Sequence, residues 1–185
     1  LKYICGHNEQ GSAISAESYA RLTSKTAALC VTSGPGSTNA ITGVYCAWVD
    51  SIPMIVVSGQ VKRETSVRST GLALRQLGDQ EVDIARIAAP ITKYAVTVAR
   101  PEDIGYHLDR ALYLAAHGRP GPVWIDVPID VQGAIVDRRK LRKYNPAQDR
   151  KQLPQAVSAQ TAEKLLALIK KSKRPVILAG TGIRL

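Results

Sequence analysis

Three short apolar runs constrain this chain more than any other feature: "AALCVT" (27–32), "MIVVS" (54–58) and "VWIDVP" (123–128). Each is too short for a helix, stops at Gly or Pro punctuation, and is followed or preceded by helix-length sequence. Such uninterrupted strands alternating with helices predict an α/β fold: a mostly parallel sheet covered by helices on both faces. Ligands of these sheets sit beyond the carboxyl ends of the strands. Three stretches should gather there: 7–10 after "KYIC", read as the end of a buried strand, then 33–39, then 58–60.

Around those strands the pattern predicts a helix over 9–24, with Ala13, Ala16, Ala20 and Tyr19 as a mainly small-residue face, and a second helix over 37–49. The connection from Gly59 to about Gly78 is polar, basic and long, a length that usually marks function or mobility. "ITKYAVTV" (91–98) alternates as a strand. Pro101 opens a helix running to about His117, with Glu102 and Asp103 at its positive end. Residues 129–160 lack periodicity and read as an interdomain linker, followed by a helix at 161–172 and a strand at 175–180. The expected layout is a first domain over 1–133, a linker over 134–160 and the start of a second unit over 161–185.

Charge narrows the function classes. The net charge is +10, yet residues 1–128 hold 12 Lys/Arg against 11 Asp/Glu, so the excess belongs to "DRRKLRKYNPAQDRK" (137–151) and "KKSKR" (170–174). Neither run has the interleaved aromatics of a single-strand platform, so no nucleic-acid partner is expected. No apolar run approaches the roughly 18–20 residues that cross a bilayer, and no signal peptide is evident, which predicts a cytoplasmic protein without a membrane partner. Position 1 is Leu rather than Met, which suggests a fragment or processed product. Cys5, Cys30 and Cys46 form no CxxC pair; the apolar settings of Cys30 and Cys46 predict buried thiols in a reducing compartment, and no metal site.

Two stretches could carry chemistry. In "HNEQ" (7–10), Asn8 suits an N-cap and Glu9 the first turn of a helix, which alone describes a helix start. A catalytic Glu9 would need an apolar pocket, where desolvation raises its pKa so that it can share a proton with a ligand nitrogen. "SGPGSTN" (33–39) is a tight turn entering a helix, in which Gly34 and Gly36 permit close backbone approach. It lacks the Gly-Lys-Ser/Thr of a Walker A loop and the third Gly of a dinucleotide fingerprint. Plain turn and ligand loop are equal readings of it.

Taken in order, "EQGSAISAESYAR", "VTSGPGSTNAITGVYCAWVDSIPMIVVSGQV", "DQEVDIARIAAPITKYAVTV" and "RPGPVWIDVPIDVQ" resemble thiamine-diphosphate-dependent enzymes of the acetolactate synthase type. The resemblance covers 7–133 as the pyrimidine-binding domain, lacking its first strand and helix, and 161–185 as the start of the central domain. It implies that Glu9 hydrogen-bonds the ring nitrogen of the cofactor's aminopyrimidine and favours the imino tautomer that activates the thiazolium carbon. It implies that Gly34, Pro35 and Asn39 border the pyrimidine, and that Gln80 faces the reacting centre. The chain departs from the family's pattern at Asn8, where His is usual, at Asp79, where an aromatic is usual, and in the longer 62–78 segment.

The resemblance also implies thiamine diphosphate as cofactor, with Mg2+ held by a Gly-Asp-Gly motif in a domain this chain does not contain, and FAD in the central domain of some relatives. It implies a 2-oxo acid substrate and a homodimer or tetramer, with each chain supplying part of a shared site. The expected function is a 2-oxo-acid decarboxylase and carboligase, inactive as this chain alone. The alternatives are a carboligase of sugar or polysaccharide synthesis and a non-catalytic assembly or regulatory module.

Overall fold

The three apolar runs all form strands. The computed structural model of the chain describes residues 2–151, 153 and 156–184. β1 (Ala27–Val31), β2 (Met54–Gln60), β3 (Ala95–Thr97) and β4 (Pro122–Pro128) make one sheet in the order β1-β2-β4-β3, with every pair parallel. Parallel neighbours require crossovers, and helices supply them. In chain order the α-helices are α1 (Glu9–Thr23), α2 (Pro35–Asn39), α3 (Ile41–Val49), α4 (Val67–Thr70), α5 (Ile84–Ala88), α6 (Ile104–Ala116), α7 (Ile129–Gln132), α8 (Ala147–Arg150) and α9 (Ala159–Lys171), of which α2 to α6 lie between strands.

Two apolar layers flank the sheet. One joins Ala13 and Ala20 of α1, Val44 and Ala47 of α3 and Ile84 of α5 to Leu29, Val56 and Trp124. The other sets Ala111, Leu114 and Ala115 of α6 against Ile55, Val123 and Ile125. Every residue of β4 is buried because this central strand has a layer on each side. The α1–α3 contact is close: a Cβ on Gly43 would lie 2.8 Å from the Ala13 carbonyl carbon and the Ile14 nitrogen. Arg21 adds a polar fastening, donating to Glu17 one turn back and to Asp50 Oδ2 at 2.6 Å, just past α3.

Several expectations are corrected. Residues 2–6 form no strand, and Tyr3 and Ile4 are exposed. Residues 175–180 form none either, because no strand among the described residues pairs with them. The 91–98 strand shrinks to Ala95–Thr97, since Ala89–Ile91 turns as a 3₁₀ helix and Thr92 caps back onto the Ala88 carbonyl. Tyr19 lies on the outer side of α1, away from the face that buries Ala13 and Ala20. Cys5, Cys30 and Cys46 are all exposed. Edge strand β1 buries Ala27, Leu29 and Val31 but turns Ala28 and Cys30 outward, and Cys46 points off the buried Gly43–Val44–Ala47 side of α3.

Beyond β4 the chain is anchored to α6. Asp149 is buried and takes two hydrogen bonds from Arg110, at 2.9 and 2.7 Å, and one from the Tyr144 hydroxyl at 2.9 Å. The Arg142 guanidinium stacks 3.7 Å from the Tyr106 ring centre, and the Tyr106 hydroxyl donates to Gln148. From α9 onward no described side chain is buried.

Candidate active site

α1 begins where its sequence says it should. Asn8 has an extended backbone, and its side chain accepts from Gly11 N at 3.0 Å, leaving Glu9 as the first helical residue. At the end of β1 the chain turns through Gly34 (φ +58) into α2, tied down by Ser37 Oγ on the Thr32 carbonyl at 2.5 Å. One and a half helical turns later Asn39 Nδ2 donates to Glu9 Oε2 at 2.9 Å. A Cβ on Gly36 would lie 2.6 Å from Thr32 Cγ2 and 3.4 Å from Glu9 Oε1, so glycine there lets α2 pack close to both.

Gln80 meets the other end of the same turn. Its φ is +54, and a Cβ on Gly34 would collide with the Gln80 carbonyl oxygen and lie 2.9 Å from the Gln80 Cβ. Two left-handed turns thus pack back to back, and at Gly34 only glycine fits. The structure therefore brings together Glu9 with Asn39, and Gly34 with Gln80, the two pairs joined by α2, whose five residues span roughly 7.5 Å. Pro35, the first residue of α2, is exposed beside them, as is the Gln80 side chain.

The electrostatics differ from the apolar pocket that a proton-sharing Glu9 calls for. Glu9 is half-buried, and the Asn39 carboxamide, with Glu9's own backbone N–H, holds its carboxyl below the usual Glu range against the opposing effect of burial. It is an ionised acceptor, with Oε2 occupied by Asn39 and Oε1 beside Gly36. An aminopyrimidine fits this: an oriented carboxylate can accept from a ring N–H.

The third stretch expected at the strand ends, 58–60, is used differently. Ser58 Oγ accepts from Trp124 Nε1 at 2.8 Å and donates to the buried Asp126 at 2.6 Å. Asp126 also accepts from Gln60 at 3.1 Å and Thr97 at 3.1 Å; burial pushes its carboxyl up while these donors pull it down. Gln60 reaches on to the Val82 carbonyl at 2.9 Å. Sequence reasoning missed Asp126 and Glu81, although a lone carboxylate inside "VWIDVP" was a signal that something must satisfy it. A cavity of about 330 Å³ lined by Trp48, Lys93, Arg110, Leu114 and Asp149 lies elsewhere, at the edge where β4 begins. Burial there brings Lys93 down to about 8 while its ammonium caps the Leu114 and His117 carbonyls of α6. Among the described residues no group of three or more His, Cys, Asp or Glu is placed to hold a metal, and no helix is long and apolar enough to cross a membrane.

Residues 1–87 match the N-terminal TPP binding domain of thiamine pyrophosphate enzymes. Over nearly its whole length it is similar to acetolactate synthase large subunits. It is 38% identical to those of Buchnera aphidicola from Schizaphis graminum and of Lactococcus lactis, and 37% identical to the isozyme 1 large subunit of Escherichia coli. Each alignment covers 99% of this chain and 30–31% of the relative, so the chain spans about a third of their length.

Proposed function

We propose that this chain supplies the pyrimidine-binding part of a thiamine-diphosphate-dependent carboligase that decarboxylates a 2-oxo acid and joins the resulting activated aldehyde to a carbonyl acceptor. The observation that carries this reading is the Glu9–Asn39 hydrogen bond at 2.9 Å, across thirty residues, at the strand ends. Asn39 fixes Glu9 Oε2, so that Oε1 would be left to accept a hydrogen bond from a proton-bearing ring nitrogen and orient the ring. Gly34, Pro35 and Gly36 give the ring a close backbone wall. Gln80, on the exposed turn against Gly34, stands at the substrate end. When bound, thiamine diphosphate supplies carbanion stabilisation and an electron sink.

Binding of the diphosphate through Mg2+ is assigned to residues of the complete enzyme outside this chain, and FAD, where used, to the central domain that begins near 161. The chain works within a homo-oligomer in the cytoplasm, with 1–133 as its pyrimidine domain and 134–160 as the link. Asn8 and Asp79 lie near the substrate end and point to a donor other than pyruvate: the Asn8 side-chain oxygen caps Gly11 N, and Asp79 is an exposed carboxylate beside Gln80. In the full-length enzyme, Glu9→Gln is expected to slow exchange of the bound cofactor's C2 proton by about 10²-fold or more, with a matching loss of carboligation. Exchange at the wild-type rate would overturn the role of Glu9.

A further inference from the structure

Gln80 is held in a left-handed turn, and the residue that follows it is the hub of the long loop between β2 and α5. Glu81 Oε1 accepts from Val67 N at 2.8 Å, and Oε2 accepts from Leu77 N at 3.2 Å and Gly78 N at 3.1 Å. Val67 opens α4, which has no side-chain cap of its own, and Leu77 and Gly78 lie outside any helix or strand. One half-buried carboxylate thus gathers both ends of residues 67–78. Gly78 closes the base of the loop, since a Cβ there would lie 2.8 Å from the Thr65 carbonyl oxygen and from Val61 Cγ2.

On the other side of Gln80 the Val82 carbonyl is held by Gln60, itself bonded to the buried Asp126. The strained Gln80 stands between these two fastenings, with its carbonyl pressed on Gly34. A non-glycine residue persists at positive φ only where its surroundings over-determine it.

We propose that Glu81 is a positioning residue: by tying the backbone of 67–78 to the turn, it keeps Gln80 at the mouth of the site and makes the long loop a fixed wall of the acceptor side. The proposal rests on the reading above that Gln80 serves the substrate end. A purely structural Glu81 would, on removal, weaken every property of the domain together. A positioning Glu81 separates the acceptor step from the Glu9 end of the site, because the Glu9–Asn39 bond is made between α1 and α2 and involves no residue of 67–78.

The test uses the full-length enzyme with thiamine diphosphate and Mg2+, comparing wild type, Glu81→Ala, Glu81→Gln, Gln80→Ala and the Glu81→Ala/Gln80→Ala pair. Peptide-level amide exchange over 66–78 is read alongside acceptor KM, kcat and C2-proton exchange. Glu81→Ala is expected to speed amide exchange at least about tenfold, the loss of hydrogen bonds to a charged acceptor. It should also lower kcat/KM for the acceptor roughly tenfold through misplacement, while C2-proton exchange stays within about twofold of wild type. The double variant should be no worse than Gln80→Ala alone. Glu81→Gln, nearly isosteric, should show the same split at smaller size and keeps the test available if the alanine variant folds poorly.

Unchanged amide exchange over 66–78 would overturn the clamp itself. Additive losses in the double variant, or C2-proton exchange falling with carboligation, would overturn the positioning role. If Gln80→Ala leaves carboligation at the wild-type level, the reading of Gln80 fails, and the positioning role with it, even where amide exchange has risen.

Discussion

Asn39 is the largest influence holding the Glu9 carboxyl below the usual Glu range, and that contact separates this carboxylate from an ordinary helix-start Glu. Because its hydrogen bond is the largest influence lowering the Glu9 carboxyl, replacing Asn39 with Leu should move the Glu9 titration upward. The sign also fixes the pH window. A depressed carboxylate stabilises the fold at and above neutral pH, and that contribution is lost only as pH falls through the folded-state value, below the ordinary Glu range. Carbon-13 carboxyl titration of Glu9 in this chain checks it; an identical midpoint in Asn39→Leu would show that Asn39 is a bystander. The residue types at this site were legible in "HNEQ" and "SGPGSTN". That Glu9 is held low rather than raised was not, because it depends on a partner thirty positions away.

Among the elements, the α1–α3 contact carries the site, since α1 presents Glu9 and α3 continues from the helix that presents Asn39. Gly43 is a point of close approach, where a Cβ would meet the Ala13 Cβ at 2.5 Å and backbone atoms of α1 at 2.8 Å, none of which can swing away. Gly43→Ala should therefore destabilise the chain by about 1–3 kcal/mol in urea unfolding. It should also weaken the Glu9–Asn39 bond, read as an upward shift of the Glu9 titration. A stability within error of wild type would mean that α1 rides freely on α3. At this scale the apolar runs that lie between neighbours, 54–58 and 123–128, were readable as strands, whereas "KYIC" and "PVILAG" were not. An apolar run forms a strand only when another edge accepts its hydrogen bonds, and no local pattern supplies that edge. The exposed Cys30 thiol has the same origin: "AALCVT" is largely apolar, but an edge strand with one covered face buries only alternate residues.

At the scale of the whole molecule, the segment from 142 to 150 is fastened across α6 by one ion pair and its aromatic surroundings. Arg110 holds the Asp149 carboxyl below the usual Asp range, with Tyr144 as a second donor, and the side chains are only 28% and 5% exposed. Asp149→Asn leaves Arg110 without its counter-charge and should cost about 3 kcal/mol at pH 7. The depressed carboxyl implies that this difference holds throughout neutral pH and shrinks on acidification below about pH 4, where the wild-type carboxylate is itself lost. Urea unfolding of both proteins at pH 7 and pH 3 measures it; a difference equal at both pH values would remove the ion pair from the account. By itself the sequence determined the strand-and-helix alternation, the parallel sheet it requires, and the two stretches that meet at the strand ends, because periodicity and Gly-Pro chemistry act over a few residues. Only the tertiary structure decided which runs found a strand partner, which thiols stayed exposed, and that Asn39 rather than a dry pocket governs Glu9. It also decided that Glu81 and Asp126 brace the turn bearing Gln80, because burial and hydrogen-bond partnership are properties of residues brought together from far along the chain.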